Sequence, residues 1–242
     1  MVVETLSQNE FDLGNFANEE RDLYKEVKES AKKQANYINS VVNSLPQRIQ
    51  AIAKQKLTEN PRLTQRIKSK YDKLGSVKPN FFPFFCAYKC YEKMSKKNWY
   101  LMIVDYSKPA NSNRCYLINT ISNRVEITTT CEQWTWKKGK NQPGFSNLDE
   151  SWQSSLGISQ TEQPNPTRNF WIRDSLIVSW KEDSNSLSAA RHILVHKWDV
   201  SHWCFVFKDR EKWRQIISKL ANYGTIFSYY PDADYLKKSK YV

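Results

Sequence analysis

The stretch Arg191–Phe207, RHILVHKWDVSHWCFVF, brings a histidine and a cysteine to the ends of two apolar runs. The run Ile193–Val195 is apolar and partly β-branched, which predicts a strand that delivers His196. A short polar connection follows, and the second run, Phe205–Phe207, begins directly after Cys204. A cysteine with a histidine in reach is the smallest unit for nucleophilic catalysis by a thiolate. The alternative is a buried cysteine beside incidental histidines, and the spacing alone leaves both interpretations open.

The overall charge favours an anionic partner. The 242 residues include 37 Lys and Arg against 25 Asp and Glu, a formal net charge of +12. Nucleic acid, an acidic membrane surface and an anionic wall polymer all fit that charge, and charge alone does not choose among them. Only 6 glycines are present, and neither a G-x-G-x-x-G nor a Walker-type loop occurs, which argues against a glycine-rich phosphate loop.

Cysteine usage gives no sign of a metal centre. The five cysteines are Cys86, Cys90, Cys115, Cys131 and Cys204. The number is odd, so a fully oxidised monomer would leave at least one unpaired. Cys86 and Cys90 are four apart on a predicted helix and share a face, but no further ligands lie near them in sequence, so packing is the better interpretation. We therefore expect no metal and no cofactor.

The chain carries no recognisable membrane or export signal. No window of 18 apolar residues occurs, so no spanning helix is expected. The first residues, MVVETLSQNEFDLGNF, lack a basic beginning and a long apolar core, so they do not read as a secretory signal. Either the chain is made without a leader or a leader was removed.

The first third of the sequence has the pattern of helices. Residues 1–17 are predicted to be irregular, and Asn18 could cap a helix that starts at Glu19. Its apolar stripe is Leu23, Val27, Ala31, Ile38, Val41 and Leu45. Further helices are predicted over residues 47–57, 62–74 and 81–94. The helices over residues 47–57 and 62–74 are strongly basic, which indicates either a solvated face or a surface that docks on a polyanion.

The remaining two thirds have the pattern of a β domain. Strands are predicted at residues 99–107, 114–121, 124–131, 170–180 and 225–231, in addition to the two runs beside His196 and Cys204. Residues 132–170 are predicted to be loop-rich, 208–223 an amphipathic helix with Gly224 at its C-terminal cap, and 232–242 a polar tail. Short strands with few helices favour a β-sandwich or barrel-like domain over a parallel α/β sheet. We expect a helical extension over residues 1–80 and a catalytic domain over residues 81–242.

Several stretches, taken in order, resemble the murein L,D-transpeptidase catalytic domain family. They are Ile103–Tyr106 with Asn111, Ser112 and Arg114; Phe145–Asn147; Ser154–Gly157; Arg191; His196 with Ser201–Cys204; Tyr230–Asp232; and Tyr235–Lys237. The resemblance spans roughly residues 80–242. Each element is weak by itself, but their order and spacing are fairly specific.

The resemblance implies an α+β protein: a mainly-β L,D-transpeptidase-like domain, sandwich- or barrel-like, with an N-terminal helical extension. It also implies a cysteine enzyme that acts on peptidoglycan stem peptides through a thioester, with an amine completing a cross-link or water completing a trimming reaction. Cys204 would be the nucleophile, His196 the base, His202 would line the site, and Ser201 would hold the turn. The other site-shaping residues would be Trp203, Lys197, Arg191, Ser154, Ser155 and Asn147. Nearby histidines and lysines lead us to expect a lowered pKa for the Cys204 thiol.

Two positions depart from the family pattern. Trp203 stands where the family has the glycine before the cysteine, and Lys197 where it has the glycine after the histidine. A positive φ at either position would strain the backbone. The alternatives are therefore a catalytically degenerate wall-binding homologue, or an effector delivered by a secretion system to attack a rival's wall. Aromatic and lysine residues interleave over Phe81–Lys97, as they do where bases stack on a protein surface. A nucleic-acid-binding protein is therefore a further alternative, weaker than the wall hypothesis. The expected location is the periplasm or cell wall if a leader was removed, and otherwise the cytoplasm or a secretion route.

Overall fold

The computed structural model describes residues 2–132, 144–151, 153–165, 174–197 and 203–242, with side chains from Arg21 onward. Its contacts divide the chain into two compact units, Met1–Ser44 and Leu45–Val242. No helix among the described residues is both long and apolar enough to span a bilayer.

The first unit is a single long helix, α1, which spans Val2–Asn43. The sequence predicted irregular backbone over residues 1–17, and that prediction was wrong, because the helix already begins at Val2. The signal misread was Asn18, whose capping preference was taken as a helix start although it lies inside the helix.

Three helices open the second unit at or close to the predicted positions. They are α2 (Gln47–Glu59), α3 (Pro61–Asp72) and α4 (Phe81–Lys93). The start of α3 is fixed by Asn60, whose side-chain oxygen accepts a hydrogen bond from Leu63 N at 3.0 Å, and by proline at its first position. Helix α4 is buried along most of its length, and both Cys86 and Cys90 lie fully buried in it, as the packing interpretation predicted.

In the part of the chain that the structure describes, eight strands form one mixed sheet. They are β1 (Tyr100–Asp105), β2 (Cys115–Asn119), β3 (Arg124–Thr129), β4 (Gly157–Pro164), β5 (Leu176–Trp180), β6 (Leu194–Lys197), β7 (Phe205–Phe207) and β8 (Thr225–Tyr229). Their spatial order is β3-β2-β1-β8-β4-β5-β6-β7. Glu132, just after β3, bridges to Val206 on β7 in antiparallel fashion, so the two ends of the sheet nearly meet. The result is close to a barrel.

Strand β4 lies inside the stretch that the sequence predicted to be loop, so that part of the prediction was wrong. Its buried residues include Ser159, Gln160 and Thr161, which are polar and therefore give no apolar alternation. They are buried because they have hydrogen-bond partners: Ser159 Oγ accepts from Asn185, and Thr161 Oγ donates to Leu220 O. Strand β4 pairs with both β8 and β5, and so joins the two halves of the sheet.

Two further helices complete the second unit. Helix α5 (Arg210–Leu220) packs Trp213, Ile216 and Leu220 into the main apolar core, which the strands line from several sides. Helix α6 (Ala233–Lys238) lies where the sequence predicted a polar tail, and it buries Tyr235 and Leu236. The arrangement confirms the predicted α+β class with a mainly-β, barrel-like domain. The predicted domain boundary after residue 80 stays a prediction; the second compact unit begins earlier, at Leu45.

Candidate active site

Strands β6 and β7 bring Cys204 and His196 onto one face of the sheet. The two strands run parallel, with Val195 beside Phe205 and His196 beside Val206. Neighbours in a sheet point to the same face, and successive residues alternate. Val195 and Phe205 join the main core, whereas Cys204 and Val206 pack with Leu194 in a second cluster. The sequence predicted a turn joining the two strands end to end; they are parallel neighbours instead.

The register also sets the spacing of the two groups. Cys204 lies beside Leu194, and His196 lies two positions further along the same row of side chains. With a rise of about 3.3 Å per residue and about 4.8 Å between strands, the two Cα atoms are about 8 Å apart. Side chains of this size can approach each other across that separation.

The sulfur of Cys204 lies among backbone groups at the start of β6 and just before it. The Leu194 N–H donates to Sγ at 3.4 Å, and the thiol faces the carbonyl oxygen of His192 at 3.8 Å. The side chain is 8% exposed. The carbonyl favours the protonated thiol, whereas the amide favours the thiolate, so the two contacts oppose each other.

Burial raises the pKa of the Cys204 thiol to about 11, although the Leu194 N–H and the positive charge of Arg191 both act to lower it. The sequence led us to expect a lowered pKa, and the direction is the reverse. Burial also raises the pKa of Cys86 and of Cys131, each to about 12. Cys90 and Cys115 have pKa values well above the ordinary value for the same reason. All five thiols therefore have raised pKa values, and in each of them burial is the main cause.

His196 is half-buried at the end of its row, with Nδ1 3.3 Å from the carbonyl oxygen of Lys197. A neutral imidazole that donates from Nδ1 carries its lone pair on Nε2, the form that a general base needs. Neither Lys197 nor Trp203 has a positive φ, so replacing the family glycines produces no left-handed strain. His192 does have a left-handed backbone, with φ of 50°.

Arg191 ties the loop after Gly144 to the site. Its Nη1 donates to Ser146 O at 2.9 Å and to Ser155 Oγ at 2.8 Å, and its Nη2 donates to Gln153 O. The side chain is 1% exposed, and its Nε has no hydrogen-bond partner among the described residues. Its guanidinium carbon lies 5.7 Å from the centre of the Trp203 ring. Arg191 thus contacts both the loop and the residue before the cysteine.

The other predicted residues fall into three groups. Ser155 Oγ joins Arg191 to Ser146 O, and so belongs to the same network as Trp203 and Cys204. Ser154 is buried next to it. Asn147 lies further away and holds the turn before Arg191, donating to Asp183 O and Ser186 Oγ and accepting from Leu187 N. Ser201 and His202 lie outside the described residues.

A cavity of about 510 Å³ opens on the far side of this network. Asn147 and Ser146 line it together with Phe145, Lys181, Asp183, Tyr235 and Lys240, among others, and Cys204 does not. Glu182 lies at its wall, buried, with Oε2 accepting from Ile158 N at 2.7 Å and from Tyr235 Oη at 3.0 Å. The cavity is therefore adjacent to Arg191's loop rather than part of the thiol site.

Sequence reasoning missed the backbone groups that surround the sulfur and the buried carboxylate of Glu182. The Leu194 amide and the His192 carbonyl carry no side-chain signal, because any residue could supply them. Glu182 could have been noticed only as an acid next to a strand end. Among the described residues, no three His, Cys, Asp or Glu side chains lie close enough together to hold a metal ion.

The comparison with known families agrees with this geometry. A family model of the L,D-transpeptidase catalytic domain matches residues 78–229, which is more than half of the chain. The chain belongs to the L,D-transpeptidase catalytic domain family. Proteins of this family act on peptidoglycan. No curated protein and no solved structure matches the chain.

Proposed function

We propose that this chain is a cysteine-dependent L,D-transpeptidase or L,D-carboxypeptidase that acts on peptidoglycan stem peptides through a thioester on Cys204. The observation that carries the proposal is the shared face of Cys204 and His196 on parallel strands inside a family domain. Cys204 is the nucleophile and His196 the base. The family resemblance assigns His202 to the lining of the site and Ser201 to the turn before Cys204; both lie outside the described residues.

In the first half-reaction, His196 removes the thiol proton of Cys204 as the sulfur attacks the carbonyl carbon after the L-centre of the third stem residue. A carbon–sulfur bond forms and the carbonyl oxygen becomes an oxyanion, which backbone N–H groups near Cys204 stabilise. The carbon–nitrogen bond then breaks. The terminal D-amino acid leaves with the proton that His196 had taken.

In the second half-reaction, an amine of another stem peptide or a water molecule attacks the thioester carbon. His196 removes the proton of the attacking group, and the carbon–sulfur bond breaks to return the thiol. The amine yields a cross-link, and water yields a shortened stem. Both outcomes use the same two side chains.

The raised pKa of Cys204 determines how the thiol is activated. With a pKa of about 11, about one thiol in ten thousand is ionised at pH 7. A preformed thiolate–imidazolium pair therefore does not describe the resting site. Proton transfer to His196 takes place during the attack, and bound substrate replaces the His192 carbonyl as the partner of the thiol.

Arg191 is a positioning residue in this scheme. Its charge lowers the pKa of Cys204, and its hydrogen bonds hold Ser146 and Ser155 beside Trp203. Trp203 covers the guanidinium and borders the sulfur, so it shapes the entry of the acyl group. Lys197, exposed beside His196, and the Ser154–Ser155 segment complete the surroundings.

The second candidate is a catalytically degenerate homologue that binds the wall. The low exposure and the raised pKa of the Cys204 thiol favour it, because both slow nucleophilic attack. A secreted effector that targets the wall of a rival is compatible with either candidate, the active enzyme or the wall-binding homologue. We place the site of action at the cell wall or in the periplasm, with carboxylate-rich stem peptides and anionic wall polymer as partners that suit a charge of +12.

An assay on a disaccharide-tetrapeptide separates the two candidates. The wild-type chain should release the terminal D-amino acid, and Cys204→Ser should not. His196→Ala should slow release by about 10²- to 10⁴-fold. His192→Asn is the matched control, since asparagine tolerates the left-handed backbone there. Equal loss in His196→Ala and His192→Asn would refute the role of His196. Wall binding without release would favour the degenerate homologue.

A further inference from the structure

Helix α1 carries an apolar stripe that the described structure leaves exposed. It spans 42 residues, about 63 Å at 1.5 Å per residue. Leu23 is 62% exposed, Tyr24 70% and Val27 61%, and the residues from Arg21 to Lys33 are all exposed. Large apolar side chains grouped in this way on a helix mark an interaction surface.

The spacing of the stripe is that of a coiled coil. Positions that alternate in steps of four and three from Val2 to Val41 form twelve sites in the sequence, and eight of them are apolar. The apolar sites are Val2, Leu6, Leu13, Phe16, Leu23, Val27, Tyr37 and Val41; the polar ones are Asn9, Glu20, Ser30 and Gln34. A heptad pattern kept over six repeats in a helix of this length argues for pairing with another helix.

The charge of the helix indicates what that other helix is. Residues 1–20 contain five acidic residues and no basic one, whereas residues 21–43 contain five basic and three acidic residues. Two copies laid antiparallel bring each acidic half against a basic half. Parallel copies bring the two acidic halves together, which is unfavourable.

A membrane surface and nucleic acid fit the exposed stripe of α1 less well than a second copy of the helix. A helix that lies on an anionic membrane has a lysine- and arginine-rich polar face. Here the face opposite the stripe carries Asp22, Lys25, Glu29 and Lys32, which is mixed, and the first twenty residues would be repelled. The same acidic half disfavours docking on nucleic acid.

We propose that α1 is a self-association helix, which pairs with α1 of a second copy of this chain in an antiparallel coiled coil. The pairing covers Leu23 and Val27 and joins two L,D-transpeptidase domains in one assembly. Polar residues at four of the twelve sites weaken the pairing relative to a fully apolar seam, so the association is reversible and concentration-dependent.

Sedimentation of the full chain over a range of concentrations tests the association. We expect a mass that rises to twice the chain mass of 28.6 kDa. Leu23→Glu combined with Val27→Glu should return it to one chain mass. Asn36→Glu combined with Asn39→Glu adds the same charge on the opposite, exposed face and should leave the dimer intact. A monomer at every concentration, or a dimer that the first double variant leaves unchanged, would overturn the proposal.

Two further measurements test the orientation and do not depend on those substitutions. Asp12→Lys should weaken an antiparallel dimer, in which residue 12 lies opposite Lys33 of the other copy, whereas a parallel dimer, with Asp12 of one copy near Asp12 of the other, would gain from it. A spin label on Ser40→Cys should report about 50 Å between copies in a fully overlapped antiparallel pair, and less than about 20 Å in a parallel pair. The label is placed in a chain that also carries Cys204→Ser, because Cys204 is 8% exposed, whereas the other four native cysteines are at most 1% exposed and should not take it. The short distance would exclude the antiparallel arrangement.

Discussion

The backbone N–H of Leu194 donates a hydrogen bond to Sγ of Cys204 at 3.4 Å, across two parallel strands. The sulfur is therefore held by the sheet, at a fixed place in the row that ends with His196. His192, two residues before that strand begins, supplies the carbonyl that accepts from the thiol. The sheet thus holds the proposed nucleophile in place, and the proposed chemistry depends on moving one proton.

The first prediction concerns thiol reactivity. Cys204 should be the fastest of the five cysteines to react with iodoacetamide, because it is 8% exposed whereas each of the other four is at most 1% exposed. The rate should rise about tenfold per pH unit between pH 7 and 10, following the thiolate fraction. Peptide mapping after timed quenching gives the rates. A plateau near pH 8, or equal labelling of Cys131, would contradict the burial argument.

The second prediction separates the charge of Arg191 from its hydrogen bonds. Arg191→Met removes both, and should lower the free energy of unfolding by about 2 to 4 kcal/mol and move the alkylation profile of Cys204 to higher pH. Arg191→Lys keeps the positive charge but loses the paired N–H donors of the guanidinium. It should therefore destabilise the fold, with a smaller change in the pH profile of Cys204 alkylation. Urea unfolding and alkylation together test this. Identical profiles for the two variants would rule out the electrostatic role.

The third prediction compares two glycines with positive φ. A Cβ on Gly157, where φ is +105°, would collide with the carboxylate of Glu182, whereas one on Gly75, where φ is +89°, meets nothing within 4 Å. Gly75→Ala should therefore lower the free energy of unfolding by about 1 to 2 kcal/mol, from the backbone alone. Gly157→Ala should lower it by about 3 to 5 kcal/mol. Equal losses in the free energy of unfolding would mean that the side chain of Glu182 moves aside at little cost.

The fourth prediction is a pH dependence. Burial raises the pKa of Glu182 above its ordinary value, against the hydrogen bonds from Ser239, Ile158 N and Tyr235. The folded state thus holds the proton more tightly than the unfolded state. Stability should fall as pH rises from the ordinary glutamate pKa through the raised one. Glu182→Gln does not titrate, so wild type should lose stability relative to this variant as pH rises from 4 to 8.

Glu126 is the matched control for that experiment. Burial acts to raise its pKa, but the hydrogen bonds from Lys219 and Asn119 outweigh burial and the pKa is lowered. Its contribution is present above the ordinary glutamate pKa and is lost as pH falls. Urea unfolding of Glu126→Gln should therefore show the opposite slope. The same slope in both variants would mean that a shared process, rather than Glu182, sets the pH dependence.

Local patterns predicted most of the helices and strands, but not how the strands pair. The apolar runs before His196 and after Cys204 identified β6 and β7, yet their parallel pairing depends on contacts that no local pattern encodes. Strand β4 was missed because its buried face is polar, and α6 because six residues give too short a pattern. The positive φ after α5 lies at Asn222 and Tyr223, whereas Gly224 was expected to supply the cap.

The roles of the site residues stay predictions, and the electrostatics of the candidate site could not be predicted from the sequence. Cys204, His196, Arg191, Trp203 and Ser155 were named from the family pattern, and the fold brings them into one region. The direction of the Cys204 pKa could not be read from nearby cationic residues, because burial outweighs them. The sequence shows which charged residues lie near Cys204 along the chain, but the desolvation that raises the pKa of its thiol depends on which parts of the fold cover it.

The central claim is that Cys204 carries the acyl group. The direct measurement is intact-mass spectrometry and peptide mapping of the full chain mixed with a disaccharide-tetrapeptide and quenched in acid. The account predicts one added mass equal to the substrate minus its terminal D-amino acid, located on Cys204 and absent from Cys204→Ser. An adduct on another residue, or unmodified protein under conditions in which the D-amino acid is released, would contradict it.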